Sequence, residues 1–490
     1  MRSIGLTLGV VALIAAASLS CQRSTPPAAT EEMPPWFRDV SREVGIDFTH
    51  DPGPPPGERY FLPQIIGSGA ALFDYDNDGR LDIYLVQNGG PDSKAKNRLF
   101  HQEKDGTFTD VSKRSGLDVA GYGMGVAIGD VDNDGFPDVV LTEYGRIRLF
   151  HNNGDGTFTD VSEKAGVLKP GPRYHITSVS YDYDNDGWPD IYIAVDSMPS
   201  VFFKNNHDGT FTDIAVMAGC AYNDDGHEQA GMGLGVADYD CDGWFDIFKT
   251  NFADDTSNLY HNNGDGTFTD LSFNSGVGIN STYVAWGCGF IDYDNDGWSD
   301  IVQINGHVYP EIDHYNFGET FKNPRLVYKN LGNGRFKDVS AEMGPGITAR
   351  YSSRGAAFGD YDNDGGMDML ILNMNELPSL LHNVGGNKQN WIKLKLIGTK
   401  CNRTAIGARA RVITGKHIQM DEVSSGTSVM SQNDLRLHFG VGKVETIDAI
   451  EIKWPTTQKV ERFAQIKVNQ ILTIREGAGI VATAKPKSAG

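Results

Sequence analysis

Asp74-Tyr75-Asp76-Asn77-Asp78-Gly79-Arg80-Leu81-Asp82 places four carboxylates within nine residues, and the pattern D-x-D-x-D-G-x-x-D returns at Asp130, Asp182, Asp238, Asp292 and Asp360. Two like charges about 4 Å apart repel by roughly 4 kcal/mol at an effective dielectric near 20, so each loop calls for a cation. Side chains at loop positions 1, 3 and 5 converge on one point, Gly at position 6 permits the reversal, position 7 offers a carbonyl and Asp at position 9 closes the shell. An all-oxygen, flexible cage suits Ca²⁺ better than Mg²⁺, which keeps its waters. The start resembles an EF-hand, but that motif needs Glu at position 12, where this chain has Leu85, Leu141, Ile193, Lys249, Gln303 and Ile371. A metal-free turn would also favour Asp, Asn and Gly, yet six copies sharing the same four Asp and the Gly argue for about six bound Ca²⁺.

Outward from each loop a longer unit recurs at propeller-blade spacing. In the second copy, Gly123 to Ile128 reads as a strand, the loop follows, and Val139-Val140-Leu141, Arg148 to His151 and Thr157 to Ser162 read as three more. The last two are joined through Asn153-Gly154-Asp155-Gly156, a hairpin signal. Apolar runs such as Ile83 to Val86 are continuous, as in strands covered on both faces. The sixth copy lacks its fourth strand, whereas Trp36-Phe37-Arg38-Asp39-Val40-Ser41 is a fourth strand without a blade. The amino-terminal strand is therefore expected to complete the last blade. The fold expected is all-β: a β-propeller of six repeats (six blades, or seven if a degenerate copy exists), then a small C-terminal β domain.

The loops, with the Phe-Thr-Asp-Val strand that follows, resemble FG-GAP or VCBS repeats, the type found in the integrin α-subunit propeller. The resemblance covers residues 36–388 and implies that the loops join the first and second strands of each blade on the lower face. It implies as ligands Asp74, Asp76, Asp78 and Asp82; Asp130, Asp132, Asp134 and Asp138; Asp182, Asp184, Asp186 and Asp190; Asp238, Asp240, Asp242 and Asp246; Asp292, Asp294, Asp296 and Asp300; and Asp360, Asp362, Asp364 and Asp368. Residues 389–476 are richer in Lys and Arg and contain Asn390-Trp391-Ile392-Lys393, Ile406-Gly407-Ala408-Arg409, His438-Phe439-Gly440-Val441-Gly442 and Trp454-Pro455. They resemble the ASPIC/UnbV domain that follows such repeats in the cartilage acidic protein family and its bacterial relatives. Residues 477–490 are expected to be disordered.

Arg2 precedes an apolar stretch from Ile4 to Leu19, too short for a comfortable membrane span and expected to be a signal peptide over residues 1–20. Ser18-Leu19-Ser20-Cys21 resembles a lipoprotein signal, which implies lipidation at Cys21 and an envelope location, periplasmic or at the cell surface. The Pro-rich residues 21–35 would then be a flexible tether. The net charge of -21 argues against nucleic acid as a partner. An exported chain permits disulfides, and Cys220 with Cys241 is the expected pair.

Catalytic motifs are missing. His227-Glu228-Gln229-Ala230-Gly231 lacks the second His of a zinc-protease helix, and there is no nucleophile elbow or P-loop. His101, His151, His261 and His382 recur at one repeat position and are expected to be structural. Variation is concentrated in the connections of the opposite, upper face, where Arg173, His175, His227, Asn251, His307 and Arg354 are the candidate ligand-binding residues. The function expected is a binding or adhesion module for a protein or glycan. The alternative is an enzyme acting on polysaccharide or a secreted metabolite from that upper face.

Overall fold

The computed structural model describes residues 35–54, 61–165, 175–208, 210–315 and 318–486. Six four-stranded antiparallel sheets form the blades. Blade 1 is Ala70–Phe73, Asp82–Leu85, Arg98–Gln102 and Phe108–Asp110; blade 2 is Gly123–Gly129, Asp138–Glu143, Arg146–Asn152 and Phe158–Asp160. Blade 3 is His175–Tyr181, Asp190–Val195, Val201–Asn205 and Phe211–Asp213; blade 4 is Leu234–Ala237, Asp246–Lys249, Asn258–Asn262 and Phe268–Asp270. Blade 5 is Ala285–Ile291, Asp300–Asn305, Leu326–Asn330 and Phe336–Asp338. Blade 6 has Ser353–Gly359, Asp368–Asn373 and Ser379–Asn383, and its fourth strand is Phe37–Asp39, paired with Ser379–Asn383 through Phe37 opposite Asn383. The ring thus closes by its own amino-terminal strand. Phe37 is fully buried beside Ile291, Val302 and Met369, so closure also completes the core between blades 5 and 6.

Continuous apolar second strands follow from this stacking. Ile83, Tyr84 and Leu85 are all fully buried because neighbouring blades cover both faces of the sheet.

The C-terminal part is two further four-stranded sheets. One runs Leu437–Gly442, Asn390–Ile397, Gln470–Arg475, Gly479–Ala484, and the other His417–Glu422, Arg409–Thr414, Thr446–Lys453, Val460–Lys467. Between them lie Trp454, Ile392, Leu394, Phe439 and Ile450. The expected disordered tail is corrected here: Gly479–Ala484 is an edge strand antiparallel to Gln470–Arg475. Its side chains are mostly exposed, so it carries none of the alternation that marks a half-buried strand.

Between His417–Glu422 and Leu437–Gly442 the chain leaves these sheets and enters the propeller axis. There it hydrogen-bonds the innermost strands of five blades. Leu234 N donates to Ser428 O and Ser428 N to Leu234 O (both 2.9 Å), Val126 N to Met430 O (3.1 Å), and Leu72 N to Gln432 O (3.1 Å). Cys288 N donates to Ser428 Oγ (3.1 Å) and Phe358 N to Asn433 Oδ1 (3.0 Å). Gly69 is obligatory at this contact, since a Cβ there would lie 1.6 Å from Met430 O. Ser428 and Met430 take left-handed φ values of 62° and 55° to form the tip. Residues 424–434 occupy the axis and leave beside it a cavity of about 130 Å³, lined by Leu234, Val236, Gly289, Phe358 and Leu435.

Candidate functional site

Each acidic loop is built the same way, and the hydrogen bonds explain the spacing. Asn at position 4 (Cys241 in loop 4) has φ of 56–61° and Gly at position 6 has φ of 89–103°, so the chain reverses twice within three residues. The position 6 N–H donates to the position 1 carboxylate in all six loops at 2.8–3.1 Å. The position 7 N–H donates to position 5, also at 2.8–3.1 Å. Position 9 begins the second strand and is buried everywhere. Its Oδ2 accepts the position 2 N–H, and its Oδ1 accepts a third-strand N–H at 2.7–2.8 Å. The ninth-position Asp therefore ties loop to blade as well as facing the cluster.

Several loop carboxylates are incomplete without a further partner. Asp74 Oδ1, Asp182 Oδ1, Asp184 Oδ1, Asp240 Oδ1 and Asp294 Oδ1 are buried and accept no hydrogen bond. Carboxylate groups of one loop approach closely enough to share an ion, as Asp74, Asp76 and Asp82 do. Burial holds Asp82 up at about 6 and Asp190 at about 7. Burial and repulsion from Asp246, Asp242 and Asp240 raise Asp238 to about 8. Buried, mutually repelling carboxylates with unused inward oxygens fit a hard divalent cation.

The recurring histidines meet these loops directly. Nδ1 of His101, His261 and His382 lies 3.0–3.2 Å from the position 9 Asp of its own blade, and His151 lies 3.3 Å from both Asp132 and Asp138. Lys204 and Lys329 take that place in blades 3 and 5 and pair with Asp184 and with Asp294 and Asp296. Sequence reading placed the histidines as structural but passed over the lysines, which break the pattern by residue type while keeping its charge.

Loops are also linked around the ring. Asn77, Asn185, Asn295 and Asn363 each donate to the position 6 carbonyl of the next blade, at 2.8–3.3 Å. Cys241 cannot donate in this way, and the next carbonyl, Gly297 O, is met instead by His417 Nε2 at 2.8 Å. Gly187 O, which follows Asn133, is met by Gln458 Nε2 at 3.3 Å. The C-terminal domain thus covers the acidic-loop face and makes the links that the repeats leave open. The expected Cys220–Cys241 disulfide is absent, since both thiols are free. Cys220 is buried between blades 3 and 4 with Tyr192 and Phe268, whereas Cys241 sits in the acidic loop.

On the upper face the sequence-derived candidates divide. Arg173 and Cys21 lie outside the described residues, and His175 opens blade 3 opposite Val195. His227 is exposed. Asn251 is buried and donates to Thr256 O (2.6 Å) and Asn258 Oδ1 (2.8 Å). His307 is buried, with Nε2 3.2 Å from Glu319. Arg354 is buried with its guanidinium 4.5 Å from the Trp286 ring, and donates to Ile65 O at 2.9 Å and to Ser353 O at 2.9 Å. With Ile66, Met232, Trp286, Val308 and Val429 packed around it, Arg354 belongs to the lid of the axis and not to an open funnel.

A six-bladed propeller with an acidic loop in every blade and a β domain fastened over those loops defines a class of acidic-loop propeller proteins. This chain belongs to the family that carries FG-GAP-like repeats followed by an ASPIC and UnbV domain. The FG-GAP-like repeat matches residues 74–141, 130–181, 182–249 and 320–371, and the ASPIC and UnbV domain matches residues 398–481. Blade 5 escapes the repeat matches for most of its length, yet it keeps the full loop geometry. Cartilage acidic protein 1 of Xenopus tropicalis is 26% identical over 307 residues, 59% of this chain and 43% of the relative. The mouse protein of that name is 24% identical over 497 residues, 84% of this chain and 74% of the relative. The chain thus spans less than half of the frog relative's length. An Agrocybe aegerita lectin structure, described as recognising non-reducing terminal N-acetylglucosamine, is 18% identical with a TM-score of 0.31, covering 65% of this chain and 83% of the lectin. A likeness at that level says nothing about function.

Proposed function

We propose that this protein is an exported, calcium-stiffened binding module, tethered by a lipid on Cys21 and presenting the upper face of its propeller to a protein or glycan. The observation that carries this reading is the occupancy of the other surfaces. The lower face is mostly covered by the C-terminal domain, and the axis, where a propeller could hold a substrate, is occupied by residues 424–434, which leave cavities of only about 130 and 330 Å³ beside them. The upper connections remain, and they expose Tyr144 (60%), Tyr309 (45%) and Tyr315 (60%) as well as His227. Rigid aromatic rings with a polar edge serve protein and sugar recognition alike. Calcium is supported by the orphaned loop oxygens and by the repeats' family.

A screen of the mature protein against envelope glycans and proteins, with and without calcium, tests the module. Binding in calcium that falls at least tenfold in Tyr144→Ala or His227→Ala is the expected result. Turnover of a glycan or metabolite, abolished by His175→Ala, would replace this reading with an enzyme. Mass spectrometry of the membrane fraction tests the anchor: an amino-terminal peptide beginning at acylated Cys21 is expected, and an unmodified Cys21 peptide sinks that part.

A further inference from the structure

We infer that the sixth loop holds no metal ion because the C-terminal domain fills it with a lysine, so that the chain binds at most five calcium ions. This rests on the calcium reading of the other loops. Lys393, in the strand Asn390–Ile397, places Nζ 2.5 Å from Asp360 Oδ2, and both side chains are essentially without exposure. The same oxygen accepts Gly365 N at 2.9 Å, while Oδ1 accepts Asp364 N at 3.1 Å. The two main-chain bonds recur at Asp130, Asp238 and Asp292, so it is the buried lysine that sets this position 1 apart.

Asp362, Asp364 and His382 still approach closely enough to share an ion, but the C-terminal domain engages the rest of the loop. Asn387 Nδ2 donates to Asp364 Oδ2 at 2.6 Å. Arg436 donates to Asp360 O at 3.2 Å and to Asn363 Oδ1 at 2.6 Å. Trp391 lies against the reversal so closely that a Cβ on Gly365 would be 1.8 Å from its Nε1. The other loops contrast with this. Loops 1, 3, 4 and 5 each keep at least one buried carboxylate oxygen without a partner, and none of those orphans belongs to loop 6. Loop 2 is open to solvent, with Asp132 half exposed. Lys204 and Lys329 also pair with loop carboxylates, and Lys395 and Arg409 of the C-terminal domain reach the position 1 carboxylates Asp74 and Asp182 at 3.3 and 3.5 Å, but Asp74 Oδ1, Asp182 Oδ1, Asp184 Oδ1 and Asp294 Oδ1 remain unmet beside them. A buried ammonium on the position 1 carboxylate neutralises the charge that a calcium ion would need there, and it repels a second cation brought to the same group.

The experiment is a count of calcium per chain, by elemental mass spectrometry on the full chain at saturating free calcium. Three proteins are compared: the unaltered protein, Asp238→Asn in loop 4 and Asp360→Asn in loop 6. Between one and five ions on the unaltered chain, one fewer in Asp238→Asn and no loss in Asp360→Asn are expected. Six ions on the unaltered chain, or a loss of one in Asp360→Asn, overturns the inference while leaving the calcium reading intact. No ion on any of the three overturns both. Because the unaltered chain alone decides between five and six, the inference stays testable even where Asp360→Asn does not fold.

Discussion

Removing calcium lowers the melting temperature of this protein by roughly 10–20 °C, and restoring calcium reverses the shift. Each site held at a hundredfold excess over its Kd adds about 2.7 kcal/mol, and four such sites exceed about 10 kcal/mol in a chain of this size. The direction of the pH dependence separates the two forms. In the metal-free protein the folded pKa values of Asp82, Asp190, Asp238 and Asp246 are raised to about 6, 7, 8 and 7, above the unfolded value near 4. A raised folded pKa gives stability that is complete below the unfolded pKa and is lost as pH climbs through the folded one. The metal-free form therefore melts lower at pH 8.5 than at pH 5. The calcium-loaded form does the reverse, because protons compete with calcium for the same oxygens. Calorimetry of both forms at the two pH values checks this. A melt indifferent to calcium, or a metal-free form that gains stability toward pH 8.5, removes the metal reading.

A chain cut after residue 388 yields no cooperatively folded propeller, although every blade strand is still present. The cut removes the segment that threads the axis and with it the partners of Ala70, Leu72, Val126, Ile128, Leu234, Cys288 and Phe358 N–H groups. A net hydrogen bond is worth about 1 kcal/mol, but a buried donor left unmet costs about 1–3 kcal/mol. Seven such donors cost about 7–21 kcal/mol together, as much as the whole stability of an ordinary domain, about 5–15 kcal/mol. Gly69→Val in the full chain tests the same contact without truncation, since its side chain would collide with Met430 O. A loss above about 4 kcal/mol in a denaturant melt is expected, the range of severe core defects. A truncated chain with a sharp melt and native near-ultraviolet dichroism would show that the propeller stands without its axle.

Much of the propeller was readable because its repeats are local. Alternate Asp at positions 1, 3 and 5, Gly at 6 and the Oδ2 of Asp at 9 answer to hydrogen bonds spanning at most seven residues, so spacing alone announces them. Closure by Phe37–Asp39 was readable as a missing strand at one end and a spare one at the other. The segment Ser424 to Asn433 had no such signal. Small and polar, it has the composition of a surface loop, and only the blades around it explain why Ser428, Ser431, Gln432 and Asn433 are there: each meets a main-chain N–H that would otherwise be buried alone. Asn251 and Arg354 misled in the opposite sense. Polar residues in variable connections suggest a binding face, yet these two spend their donors on nearby carbonyl and amide oxygens.

The amino-acid sequence by itself determined the blade, the acidic loop and the way the ring closes, because these depend on short-range periodicity and turn chemistry. Tertiary structure alone decided that the C-terminal domain caps the metal loops, threads the axis and sends Lys393 into the sixth loop. Those contacts join residues tens to hundreds of positions apart, and a lysine or a serine looks the same in a sequence whether it faces water or replaces an ion.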